Sequence, residues 1–116
     1  MSKFLFLLLN ITVFFLFNLY LISPIKAENL NNNSIGKTIF LMNCAGCHPN
    51  GSNIIRRGKN LRLKTLQKNG YDSVDAITNI IANGKNNMSA FKDRLTENEI
   101  NQVAQYVFQQ AENNWQ

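Results

Sequence analysis

The chain has little of what usually staples a small protein. Its 116 residues include two cysteines, one histidine and three methionines. Two cysteines allow at most one disulfide, so a disulfide-dense secreted scaffold is excluded. A zinc site needs four ligands from Cys, His or carboxylates, and there is no third cysteine or second histidine to complete the usual sets. No run alternates apolar and polar residues, so no strand is expected, and no internal repeat is visible. A chain this small still needs help to hold a core, and a cofactor is the expected source of it.

The scarce residues are concentrated. Both cysteines and the histidine fall within "CAGCH", as Cys44, Cys47 and His48. A thioredoxin-like dithiol would need a βαβ context that is absent here. C-x-x-C-H is the attachment pattern of haem c. Two thiols three residues apart reach the two vinyl groups on one side of a porphyrin. The histidine that follows presents its imidazole to the iron. Haem c is therefore favoured over zinc, a redox dithiol or a structural disulfide.

The first stretch reads differently from the rest. Lys3 precedes a nearly unbroken apolar segment, residues 4 to 22, followed by Pro24 and "IKA". This is the layout of a secretory signal peptide cleaved after Ala27. The alternative is an uncleaved anchor, because nineteen such residues approach the ~20 that span a bilayer. On the first reading the chain divides into a signal, residues 1–27, and one domain, residues 28–116. Lys3 and Lys26 leave with the signal, so ten basic residues face seven acidic ones, a formal charge of +3.

Three helices are expected in that domain. The first spans about Ser34 to Asn43, capped by Ser34, with Ile35, Ile39, Phe40 and Met42 on its apolar face. The second spans about Ser73 to Asn83, with Asp72 as N-cap, Asp75 at N3, Gly84 as terminator and Ile77, Ile80 and Ile81 as its buried stripe. The third opens at a Thr96–Glu99 capping box and buries Ile100, Val103, Ala104, Val107, Phe108 and Ala111. A helical turn is expected near Leu63 to Lys68. Gly36 and Phe40 are placed to cross closely over Tyr106 of the last helix.

A haem iron needs a sixth ligand or an open site, and the candidates are few. Met1 leaves with the signal, and Met42 is tethered two residues before Cys44. Met88 remains, in "NGKNNMSAF". It is either a core filler, the commoner role of Met, or the second axial ligand. Its polar neighbours Asn86, Asn87 and Ser89 favour ligation. A His/Met pair raises the potential and closes the iron, which suits electron transfer. The basic run Arg56, Arg57, Lys59, Arg62 and Lys64 is either a solvated face or a docking surface for acidic partners. A nucleic-acid partner does not suit an exported haem protein.

Together, "GKTIFLMNCAGCH", "DAITN", "NGKNNMSAF" followed by "RL", and "QVAQYVFQQAENNW" resemble the cytochrome c6 family over essentially the whole of residues 28–116. The resemblance implies an all-α class I cytochrome c fold of about four short helices with long loops around one haem. It implies Cys44 and Cys47 as thioether sites and His48 and Met88 as axial ligands. It implies a monomeric, non-enzymatic carrier that is not membrane-embedded after cleavage, working in the thylakoid lumen between the cytochrome b6f complex and photosystem I. Some members serve a respiratory terminal oxidase instead. Arg94 matches an arginine the family places near the haem and its partner surface. Two positions depart from the pattern. Ser89 stands where the family usually has Pro, which implies a less rigid Met loop. Ile80 stands where it commonly has a Gln near the haem, which implies a lower potential.

Overall fold

A computed structural model describes residues 2–20 and 27–116. The expected processing segment, Pro24 to Lys26, lies outside the described residues. Five α-helices occur among those described: α1 (Ser2–Tyr20), α2 (Ala27–Asn43), α3 (Leu63–Asn69), α4 (Val74–Asn83) and α5 (Glu97–Glu112). Short 3₁₀ turns at Pro49–Gly51 and Arg57–Lys59 interrupt the long connection from α2 to α3. The described residues form no strand beyond an isolated bridge between Lys85 and Met88.

Helix α1 stands apart from the core. Its side chains from Phe4 to Phe17 are exposed, and none joins the buried cluster. Among the described residues, no helix is long and apolar enough to cross a membrane.

Helices α2 and α5 pack against each other as the centre of the fold, and α4 packs on α5. Gly36 makes the first crossing close. A Cβ there would collide with the Gln102 carbonyl and lie 2.9 Å from Tyr106 Cβ, so only glycine admits this approach. Ile39, Phe40, Val103, Ala104, Tyr106 and Val107 are buried around it. The rings of Phe40 and Tyr106 lie 5.5 Å apart in a tilted arrangement.

Helix α5 follows its sequence pattern. Thr96 Oγ1 accepts from the Glu99 N–H, and the Glu99 carboxylate accepts from the Thr96 N–H at 2.8 Å, completing the expected box. The Thr96 N–H foremost, and the Thr96 hydroxyl that also donates to the Glu99 carboxylate at 2.8 Å, hold the Glu99 carboxyl below its ordinary range.

Three local expectations are corrected. Ser34 is not an N-cap, because α2 begins seven residues earlier, at Ala27. The asparagine run is a poor helix former by itself. Docking on α5 supports it: Gln102 Nε2 donates to Asn32 Oδ1 at 3.2 Å. Met42 is 79% exposed and belongs to the outer face of α2, not the apolar one. The cap of α4 is Ser73, not Asp72. Ser73 Oγ accepts from the Ala76 N–H at 3.2 Å, which places Asp75 one position nearer the helix start than expected. Gly84 ends α4 as expected, at φ 67°.

Candidate functional site

The chain leaves α2 directly into the motif. The N–H groups of Cys44 and Ala45 donate back to the Phe40 carbonyl at 2.8 and 2.9 Å, and His48 N–H donates to the Cys44 carbonyl at 2.9 Å. Cys44, Ala45, Gly46 and Cys47 thus form one tight turn that continues the helix end. Both cysteines are free. Burial, reinforced by the neighbouring Cys47, pushes the Cys44 thiol up to about 11, so it is a neutral thiol near pH 7. A reactive dithiol lowers its thiol in the opposite direction.

His48 is oriented by backbone. Its Nδ1 lies 2.9 Å from the Ser52 carbonyl oxygen. A carbonyl only accepts, so Nδ1 carries the proton and Nε2 keeps its lone pair for a metal. Burial lowers the tendency of the ring to protonate, partly opposed by that same hydrogen bond, which preserves the neutral ligand form.

Met88 reaches the same cavity from the other end of the chain. Lys85 N–H donates to the Met88 carbonyl and Met88 N–H donates to the Lys85 carbonyl, both at 3.0 Å. The two bonds close a turn over Asn86 and Asn87, with Asn86 in the left-handed region at φ 54°. Gly84 lies beneath: a Cβ there would stand 2.5 Å from the Met88 carbonyl oxygen and 2.7 Å from the Ala90 nitrogen. Beyond the turn, Phe91 and Lys92 N–H groups donate to the Ile81 and Ala82 carbonyls of α4. Ser89 therefore does not leave the methionine loop untethered, since backbone bonds hold it where proline stiffness is missing.

Cys44, Cys47, His48 and Met88 all line one cavity of about 340 Å³. Phe40, Leu61, Leu66, Ile77, Ile81 and Phe91 supply apolar walls, and half-buried Ile80 lines it too. The asparagines at 43, 53, 60, 69, 86 and 87 add amides. Arg56, Lys59, Lys85 and Arg94 also line it, with no carboxylate among the lining residues. The remaining basic residues of the run, Arg57, Arg62 and Lys64, are exposed and do not line the cavity. The basic stretch therefore splits into rim and outer residues.

Sequence reasoning anticipated Arg94 at the rim and missed Tyr71 and Lys85. Lys85 Nζ donates to the Tyr71 hydroxyl at 2.9 Å, fourteen residues away, and lies 5.5 Å from the centre of that ring. No local spacing signals this pair, because a tertiary approach creates it. Arg94 stacks over Phe91 at 4.3 Å. The loop carrying Arg56 is held by Asn53, whose Oδ1 accepts from the Ile55 and Arg56 N–H groups while its amide donates to the Lys59 carbonyl. Lys59 in turn bonds the Asn69 side chain.

This donor set fits a covalently held haem. Two thiols, one imidazole and one thioether converge on an apolar cavity whose amides and cations suit carboxylate substituents. An all-α fold packed around such a cavity is that of a class I cytochrome c.

The comparisons with known proteins agree. Residues 31–107 match the family described as Cytochrome C oxidase, cbb3-type, subunit III. A "Cytochrome c6-like" protein of Nostoc sp. is 59% identical, covering 99% of each chain. Cytochrome c6 of Cyanidioschyzon merolae is 40% identical, over 91% of this chain and 98% of that one. The crystal structure of cytochrome c6C from Synechococcus sp. superimposes with a TM-score of 0.67 at 54% identity, covering 68% of this chain and 96% of that one. The chain belongs to the cytochrome c6 family. It is a c-type cytochrome, an electron carrier and not an enzyme, and it carries one covalently bound haem c.

Proposed function

We propose that this protein carries single electrons from the cytochrome b6f complex to photosystem I in a thylakoid lumen. In this reading a signal peptide, residues 1–27, is removed after export. Cys44 and Cys47 hold the haem through thioethers, and His48 and Met88 ligate its iron. The observation that carries the reading is the convergence of these four side chains on one apolar cavity. When bound, the haem supplies a one-electron ferric/ferrous couple.

The chain's own groups do the rest. His48, its proton held on Nδ1 by Ser52, offers Nε2 as donor. Met88 offers a soft thioether that favours the reduced state. Ile77, Ile81 and Phe91 keep water from the centre, so its surroundings reorganise little on a change of charge. Arg56, Lys59, Lys85 and Arg94 give the mouth a positive rim that steers an acidic partner and releases it quickly, as a carrier requires. Ile80, apolar at the cavity wall, is expected to lower the potential relative to a glutamine there.

That residue, and the match to an oxidase subunit family, favour one second reading: donation to a respiratory terminal oxidase or another periplasmic or lumenal acceptor. Flash reduction of photosystem I by the purified protein, measured against salt, separates the two. Fast reduction that weakens with salt supports the first. Absence of reduction, with turnover of an oxidase, supports the second.

A further inference from the structure

We infer that Trp115, one residue from the end of the sequence, is a positioning residue for the CAGCH segment and thereby for His48. The inference rests on the proposed role of His48 as an iron ligand. Its first support is backbone conformation. Asn114 and Trp115 are consecutive non-glycine residues in the left-handed region, at φ 55° and 60°. L side chains adopt that region at a cost, and a tryptophan there is an outlier that surrounding contacts must impose. Trp115 is nevertheless only 6% exposed.

The bend carries the indole to both flanks of the motif. On one flank its ring lies 5.1 Å from that of Phe40, whose carbonyl holds the Cys44 and Ala45 N–H groups. On the other flank it lies against the backbone of Gly51, where φ is 73° and a Cβ would run into the indole ring. Trp115 Nε1–H donates to the Leu61 carbonyl at 3.0 Å, and Leu61 N–H donates to the Gly51 carbonyl at 2.7 Å. Gly51 N–H donates to the His48 carbonyl at 3.2 Å. The next residue, Ser52, supplies the carbonyl that holds His48 Nδ1. One side chain thus braces the helix end before the motif and the loop after it.

The test uses the full-length holoprotein with Trp115→Leu and Trp115→Phe, reading residue-resolved amide exchange and reduction potential. In Trp115→Leu the Gly51, Ile54 and Leu61 amides are expected to exchange at least tenfold faster, while Val103 and Val107 in α5 keep parental rates. The potential is expected to rise, because a looser Nδ1–H···O bond makes the imidazole a weaker donor to ferric iron. Trp115→Phe keeps a ring against Phe40 and Gly51 and is expected to restore most of the protection. Equal acceleration at all sites, the mark of a mere core filler, overturns the inference. So do parental loop rates with a parental potential. Failure of the ligand assignment itself reads separately, as a parent protein whose spectrum shows no histidine on the iron.

Discussion

Cys44, Cys47 and His48 continue the end of a helix that is packed along much of its length, whereas Met88 hangs from a turn of four residues. The first group is secured by tertiary structure on two sides: α2 is docked on α5, and the Pro49–Gly51 turn rests on Trp115. The second is secured by a reciprocal backbone pair and by a glycine, with Ser89 where the family resemblance led to the expectation of a proline. One side of the cavity is thus held by packing and the other by local hydrogen bonds. If Met88 ligates the iron as proposed, the methionine side is where the potential can be tuned with least damage to the packing between α2 and α5.

The largest test breaks the packed side. Replacing Cys44→Ala together with Cys47→Ala is expected to abolish covalent haem completely, read as the loss of the haem increment from the intact mass. Next, Met88→Ala is expected to leave the haem attached but open the iron. The reduced protein should then bind carbon monoxide readily and its potential should fall. An unchanged spectrum and potential would reject Met88 as ligand. Third, Gly84→Ala should destabilise the turn. It forces Cβ into the left-handed region and against the Met88 carbonyl, together roughly 2–4 kcal/mol by denaturant unfolding.

Two smaller effects refine the contrast. Thr96→Ala, remote from both sides, should cost about 1 kcal/mol of stability and leave the potential alone. The Glu99 carboxyl is held below its ordinary value, so the stabilisation it adds is complete above that value. It disappears as pH falls through the lowered folded one. An acid titration of Thr96→Ala should be only slightly flatter than the parent's, because alanine deletes the hydroxyl bond to Glu99 and keeps the larger backbone one. Smallest in structural terms, Ile80→Gln should raise the potential with little change in stability, since Ile80 is only half-buried. A redox titration showing no shift would remove Ile80 from the account.

The helices were legible wherever the signal was local. The Thr96–Glu99 box spans four residues, and both of its bonds lie within that stretch. The start of α2 was not legible, because Asn32 gains its support from Gln102, seventy residues away. Asp72 and Ser73 are both good caps, and only the path into α4 chose between them. The basic run looked uniform in sequence, yet one turn at Arg57–Lys59 sends Arg56 and Lys59 to the cavity and leaves Arg57 outside it.

What the sequence determined alone is the chemistry that depends on adjacency. Two thiols and an imidazole within five residues specify a covalent haem without reference to any distant contact. Tertiary structure alone decided which far residues share that cavity. Tyr71, Lys85 and Phe91 all line it, and Trp115 braces its wall, through contacts between segments tens of residues apart. Such contacts arise only when apolar faces close on one another, and no spacing rule along the chain encodes them.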